Sequence, residues 1–287
     1  MIKLSVITIN FNHKHFPKLC VEALEAAKTN FKFEIIFVDN GAHDLISKGF
    51  LEKAAKQGRI KLIKTHKNLG FSAGNNLGAV NATGEYLLFL NPDTTVYSDA
   101  LQKMIDYMER RENAVYYYGA GDGSVERGNG VKHGHIGILG PKLIYADGVV
   151  QDSRRRFPRL IDLIAKRTPL SRLPFFRKKV HEYIMNDFDH EKICEPDWVT
   201  GAAMLISKKV FESVGGFDER YFIFMEDLDL CRKVRAKGLK VVYYPEAQIN
   251  HYHQRLSAGG LHKLLTKKVF WHHIASMFKY FWKWRKG

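Results

Sequence analysis

Apolar and polar positions switch between two periods along the first third of the chain. Residues 4–9 form a β-branched apolar run, and residues 16–28 repeat apolar side chains at helical spacing. A second apolar run follows at 33–38, a second helical pattern at 44–57, a short strand at 60–64 and a helix start at 73–80. Residues 86–90, "YLLFL", are apolar throughout, as in a strand buried on both faces. Alternation of this kind predicts an α/β fold: a Rossmann-like, mainly parallel central sheet flanked by helices, with right-handed crossovers.

A helix is expected over 101–111, after which the periodicity fails. Residues 119–137 read "GAGDGSVERGNGVKHGHIG". A phosphate-binding loop would need a strand before it and a helix after it, so a surface insertion is the stronger expectation. Regular patterns resume with a strand at 138–144, a strand at 202–206 and a short helix at 208–214 closed by Gly215 and Gly216. A helix at 227–236 closed by Gly238 and a strand at 240–244 follow.

Net charge narrows the partners. The chain has 287 residues, with 45 Lys and Arg against 30 Asp and Glu, a balance of +15 that calls for an anionic partner: nucleic acid, nucleotide or acidic membrane. The excess is regional. No Asp or Glu occurs from residue 247 onward, and Asp162 is the only acid between 154 and 179. Three separated cysteines (Cys20, Cys194 and Cys231) suggest neither a zinc site nor a disulfide framework, and fit a reducing cytosol. The apolar N-terminal run is short and holds Asn10, unlike a signal peptide, and no run reaches the roughly eighteen apolar residues of a membrane span.

Three early strands end in polar tips: Asn10 after the first (Thr8 lies within it), Asp39-Asn40 after the second, and Asn91-Pro92-Asp93 after the fourth. In a parallel sheet such tips share the edge where ligands bind. Asp39 suits a ribose or base, although an Asp opening a loop looks the same. "NLGFSAGNNLGA", with Asn68, Gly70 and Asn75, offers amides and glycines at a helix start, suited to a diphosphate or a sugar or to a plain helix N-terminus. Neither a GxGxxG nor a GxxxxGK[ST] motif occurs. Glu226, Asp227 and Asp229 crowd together after an aromatic lead-in, which can tune a general base or simply favour a helix dipole. His251 and His253 follow the last strand, where a neutral imidazole could join Asp93 on a divalent cation.

In order, "SVITINFN", "IIFVDNG", "NLGFSAGNNLGA", "YLLFLNPDTTV", "WVTGAAMLISKKVFESVGGFDERYFIFMEDLDLCRKVRAKG" and "NHYHQRLSAG" closely resemble the family 2 glycosyltransferases of GT-A fold, especially the bacterial rhamnosyltransferase-like members. The resemblance implies an inverting, metal-dependent transfer from a dTDP- or UDP-linked sugar, with Mn2+ or Mg2+. Dedicated to cell-surface polysaccharide synthesis, the transfer would end on a saccharide or a polyprenyl-diphosphate-linked acceptor, with L-rhamnose from dTDP-rhamnose as the first candidate donor. It implies that Thr8, Asn10, Asp39, Asn40, Asn68, Gly70, Asn75 and Asn91 hold the nucleotide-sugar. Asp93 and His251 would bind the metal, Asp227 in its pair with Glu226 would be catalytic, and Trp198 and Gly201 would line the acceptor side. Asn91 stands where the family's metal motif usually begins with an acid. The implied organisation is a nucleotide-sugar-binding half (1–112), a Gly-rich insertion (113–137), an acceptor-binding half with the base (138–258) and a basic amphipathic C-terminal helix (259–287).

That tail places Leu261, Leu264, Leu265, Val269, Ile274, Phe278 and Phe281 near one helical face among lysines and tryptophans. Lying on an anionic membrane surface or packing back on the domain would both satisfy it. A cytoplasmic protein, peripheral on the inner face of the membrane, is the expected location. Two other readings are a nucleic-acid-binding protein, disfavoured because the charge lies away from the polar tips, and a nucleotidyltransferase using the same carboxylates.

Overall fold

The computed structural model describes residues 1–110, 116–118, 125–127, 135–167, 173–252 and 268–285. The chain opens with β1 (Leu4–Asn10), α1 (Phe16–Glu25), β2 (Phe33–Asp39), α2 (Leu45–Lys56), β3 (Lys61–Lys64), α3 (Gly70–Val80) and β4 (Tyr86–Leu90). These four strands are mutually parallel, in spatial order β3-β2-β1-β4. Every residue of β4 is buried, as its composition requires.

A short strand, β5 (Thr94–Val96), and α4 (Ala100–Glu109) come next; β6 (Tyr116–Tyr118) and β7 (Val125–Arg127) pair with each other inside the expected insertion. Residues 111–115, 119–124 and 128–134, which hold most of the Gly-rich stretch, lie outside the described residues, as does His253. The second half supplies β8 (Ile136–Ile144), β9 (Arg154–Arg155), α5 (Leu160–Arg167), α6 (Pro174–Ile184), β10 (Trp198–Val199), β11 (Ala203–Ser207) and α7 (Lys208–Ser213). It ends with α8 (Glu226–Ala236), β12 (Lys240–His251) and α9 (Lys268–Lys283).

β11, β8, β12 and β5 extend the first four strands into one eight-stranded sheet. β11 runs antiparallel to β4 and β8, β12 is parallel to β8, and β5 closes the edge antiparallel to β12. The last long strand does not stop at 244. It passes Pro245 through an irregularity between Tyr244 and Gln248 and continues to His251, since a bulge absorbs the ladder hydrogen bond that a proline cannot make. The helix expected from 73 begins at Gly70.

Both faces of the sheet are covered. One core joins β1, β2 and β4 to α1, α2 and α4 through residues such as Val21, Leu51 and Met104. The other packs Ile7, Phe89 and Ile206 against Phe211, Leu230 and Tyr280, so α9 belongs to the domain core at Tyr280, which is wholly buried. Among the described residues no helix is long and apolar enough to cross a membrane.

Candidate active site

The parallel register sets Asn10 directly beside Asp39 at the ends of β1 and β2. Asn10 is buried and donates to Ser47 Oγ at 3.1 Å, while Asp39 Oδ1 accepts from the Ala42 amide at 3.3 Å. Asn40 ties this tip to α3. Its Nδ2 donates to Asn68 Oδ1 and to the Gly70 carbonyl, both at 3.0 Å, and its Oδ1 accepts from the Leu69 amide at 2.9 Å. Asn68 Oδ1 in turn accepts from the Gly70 amide at 2.8 Å. Asn40 and Asn68 therefore shape the loop entering α3. Gly70 has φ +84°, and a Cβ there would stand 2.4 Å from the Phe222 carbonyl oxygen, so only glycine fits the close approach. Asn75 is buried in α3 with no hydrogen-bond partner for Nδ2 among the described residues. Thr8 sits below the edge, its hydroxyl beside the Cys20 thiol.

The NPD segment and the end of β12 form the second wall. β5 pairs with β12 so that Thr94 opposes His251, and the Tyr252 amide donates to the Asp93 carbonyl at 2.8 Å. His251 Nε2 lies 3.6 Å from Asp93 Oδ1, with both side chains buried. Gln151 grips the histidine twice: its Nε2 donates to the His251 carbonyl at 2.8 Å, which turns its Oε1 toward His251 Nδ1 at 2.9 Å. That oxygen accepts from a protonated Nδ1, which leaves Nε2 as the ring atom facing Asp93. Burial pushes the Asp93 pKa up, but His251 and then His13 outweigh it and hold the carboxyl below its ordinary range. A carboxylate and an imidazole aimed at one another are fitting donors for Mn2+ or Mg2+. No third His, Cys, Asp or Glu completes a cluster among the described residues, which suits an ion that takes its remaining ligands from water and phosphate oxygens.

The third wall carries the paired acids. Phe224 and Met225 both adopt left-handed conformations, at φ 68° and 69°, just before α8. For side chains with a Cβ this costs on the order of 1–3 kcal/mol each, and such strain is held where a site needs it. The turn delivers Glu226 and Asp227 to the start of α8. Asp227 Oδ2 accepts from the Gly201 amide at 2.9 Å and Oδ1 from the Leu228 amide at 2.8 Å. Burial raises the Asp227 pKa, opposed by these two amides and by the Arg155 charge. Glu226 is pushed up well above its ordinary range by burial and by Asp227, and its Oε2 has no hydrogen-bond partner among the described residues. Glu226 therefore keeps its proton while Asp227, steadied by amides, ionises first.

These walls touch. The Asn91 amide donates to the Ala202 carbonyl at 2.9 Å, one residue from the glycine that binds Asp227. A Cβ on Gly201 would meet Asp227 at 3.2 Å and the Phe71 ring of α3 at 3.6 Å. The strand tips, the NPD turn and Asp227 thus share one sheet edge.

The family model for Glycosyl transferase family 2 matches residues 5–179, more than half of the chain. The chain belongs to glycosyl transferase family 2. A second model, the N-terminal domain of galactosyltransferase, matches residues 188–255. The chain is 28% identical over 270 residues to N-acetylglucosaminyl-diphospho-decaprenol L-rhamnosyltransferase of Mycobacterium tuberculosis, covering 89% of this chain and 78% of that protein. It is 26% identical over 283 residues to rhamnosyltransferase WbbL of Escherichia coli, covering 96% and 91%. It is 27% identical to the O-antigen biosynthesis protein RfbC of Myxococcus xanthus over 87% of this chain, but spans only 17% of that protein. Among solved structures, GalNAc-T7 with UDP, GalNAc and Mn2+ superposes with a TM-score of 0.56 at 14% identity, over 88% of this chain and 44% of that one. The Pyrobaculum calidifontis mannosyltransferase in complex with GDP-Man and Mn2+ gives 0.55 at 13%, over 88% and 58%. These likenesses place the family 2 chain in the GT-A fold.

Two residues of this candidate site, Gln151 and Arg155, were not singled out from sequence. Gln151 lies 100 positions from His251 in the chain and carries no motif. Arg155 sits with its guanidinium 5.2 Å from the Trp198 ring centre and 5.9 Å from that of Tyr183, within electrostatic reach of Asp227. Trp198 itself is buried and donates from Nε1 to the Arg156 carbonyl at 2.9 Å, so it backs Arg155. Asp229, grouped with the base by sequence, faces away: it accepts from Lys283 Nζ and Trp284 Nε1, each at 2.8 Å, and from Tyr221 Oη at 3.3 Å. It anchors α9.

Proposed function

We propose that the chain transfers a sugar, with inversion, from a dTDP- or UDP-linked donor to a hydroxyl of a saccharide or polyprenyl-diphosphate-linked acceptor for cell-surface polysaccharide. The observation that carries the reading is Asp227: a partly exposed carboxylate fixed by two amides, one of them from Gly201, whose neighbour Ala202 accepts from the Asn91 amide. The two relatives named as rhamnosyltransferases support L-rhamnose as the first donor to test. Action at the inner face of a cell membrane follows if the acceptor is lipid-linked.

In this mechanism Asp227 Oδ2 removes the proton as the acceptor oxygen bonds to the anomeric carbon, and the bond from that carbon to the diphosphate oxygen breaks. Base catalysis of this kind contributes about 10²–10⁴-fold. Glu226 stays neutral beside Asp227, so the pair carries one negative charge before the reaction and none after the proton moves. Asp39 and Asn10 face the nucleoside end, with the α3 entry held by Asn40 and Asn68. Asp93 and His251 would hold the cation, which as a Lewis acid offsets charge on the departing diphosphate.

A thermal-shift screen of nucleoside diphosphates and their sugars, with Mn2+ or Mg2+, tests the donor half, followed by product analysis with the best donor. Stabilisation by dTDP or UDP only in the presence of metal is expected. A protein indifferent to every nucleotide and metal combination would refute the reading. Release of inorganic diphosphate in place of a nucleoside diphosphate would favour the nucleotidyltransferase.

A further inference from the structure

α9 has two unlike faces. The inward one grips the segment that leads to the base: Ser276 Oγ donates to the Ile223 carbonyl at 2.9 Å, and His272 and His273 stack on Phe222 and Phe224 at 4.5 and 4.3 Å. Tyr280 is wholly buried and Lys283 reaches both Asp218 and Asp229 at 2.8 Å. Side chains half a turn away point outward. Trp271, Phe278 and Trp282, spaced seven and four residues apart, are 57%, 67% and 70% exposed. At about 100° per residue these three lie within roughly 40° of one another. Lys268 and Arg285 are also exposed along this side, as is Lys279, whose Nζ donates to the Arg220 carbonyl at 2.7 Å.

An outer helical stripe on a water-bathed domain is ordinarily polar. Here it is aromatic with cations at its margins, and no acid occurs from residue 247 to the end. Tryptophan favours the level of lipid headgroups, where its ring is half in the apolar phase and its N–H in the wet one. Lysine and arginine beside it gain from anionic phosphate. A second copy of the same face would bring like charges together, which disfavours a symmetric dimer seam. We infer that the outward face of α9, centred on Trp271, Phe278 and Trp282, seats the protein on an anionic lipid surface. The helix lies in the interface plane, its other face bracing the turn that carries Asp227. This deepens the proposed function by naming how the acceptor side meets the membrane, and rests on it only for that purpose.

The sequence expectation grouped Leu261, Leu264 and Leu265, which lie outside the described residues, with Val269, Ile274, Phe278 and Phe281. Val269, Ile274 and Phe281 are part-buried, and of the four only Phe278 is on the outward stripe. The aromatic residues that matter are the tryptophans.

Flotation of the full chain with phosphatidylcholine vesicles, with and without about a third phosphatidylglycerol, tests the inference. Binding to the anionic vesicles is expected, weakened by salt, and lowered at least about tenfold in the Trp271→Ser, Phe278→Ser, Trp282→Ser protein. All three residues are exposed, so an unchanged thermal midpoint is expected to show that the variant folds. Should it not, Lys268→Glu with Arg285→Glu probes the same face through charge. Absence of wild-type flotation, or equal flotation of folded variants, would overturn the inference, as would a concentration-dependent dimer abolished by the aromatic substitutions. Nucleotide-stabilised melting needs no lipid, so loss of flotation with that response intact leaves sugar transfer standing.

Discussion

The Gly201 amide donates to Asp227 Oδ2 across 2.9 Å, joining the β10–β11 turn to the first turn of α8. One oxygen of the carboxylate is thereby oriented and its charge stabilised without being neutralised. Asp227→Asn keeps the shape but removes the basic oxygen. Turnover is expected to fall by on the order of 10²-fold or more, with donor affinity within about twofold of wild type, measured by initial rates and by calorimetric titration of nucleotide. Full activity in this variant would remove Asp227 as the base.

The raised Asp227 pKa has a pH signature. As the proposed base, Asp227 works ionised, so the rate should climb through an acid limb lying above the ordinary Asp value of about 3.9. Arg155→Met removes an opposing positive charge and should shift that limb further upward. A pH–rate profile of both proteins checks the direction; a downward shift would contradict the placement of Arg155.

Glu226 is predicted to cost stability at neutral pH. Its folded pKa lies above the unfolded value, so the folded chain retains a proton that the unfolded chain has released. Stability is thus highest below the unfolded pKa of about 4.3 and declines as pH rises through the folded value. Glu226→Gln abolishes this loss and should gain roughly 1–2 kcal/mol at about pH 8, read from urea unfolding. A less stable variant would show that the buried carboxyl has a partner that favours its charge.

Gln151 holds His251 by two hydrogen bonds, and Gln151→Leu removes both while preserving bulk. Metal-dependent nucleotide binding should weaken about 10–100-fold, with metal-independent binding unchanged. Asp93→Ala should do the same more severely. Equal Mn2+ titrations in wild type and Asp93→Ala would exclude that carboxylate from the cation.

Asp229→Ala leaves Lys283 and Trp284 without their shared acceptor and should destabilise the fold by about 3 kcal/mol. Hydrogen exchange in residues 268–285 should accelerate with it. Unaltered exchange there would mean that α9 is held chiefly by Tyr280 and Ser276.

The polar strand tips could be read from the chain because β4 is apolar to its last residue and then turns to Asn91-Pro92-Asp93, a change that only an edge accommodates. The same logic found Asn10 and Asp39, which the register then set side by side. Crowding along the chain was a poorer guide at Asp229. Two residues on a helix stand about 200° apart, so Asp227 and Asp229 necessarily serve opposite faces. Gln151, Arg155 and the α9 contacts could not be read at all, since each depends on a meeting between residues distant in the chain: Arg155 and Tyr183 are 28 positions apart, Lys283 and Asp229 54, and Gln151 and His251 100. The tail was legible only in part: Phe281 does pack against the core, as an apolar face would, but beside it Ser276, Tyr280 and Lys283 are polar groups that satisfy specific partners.

The attachment of Lys283 and Trp284 to Asp229 also sets an order of events during synthesis. The ribosome releases the acid 54 and 55 residues before its two cationic and indole partners. Until they emerge, a carboxylate destined for full burial has only the Tyr221 hydroxyl to lean on, and the strained turn before the base lacks its brace. A nascent chain therefore gains the brace on the turn that carries Asp227 only when α9 arrives.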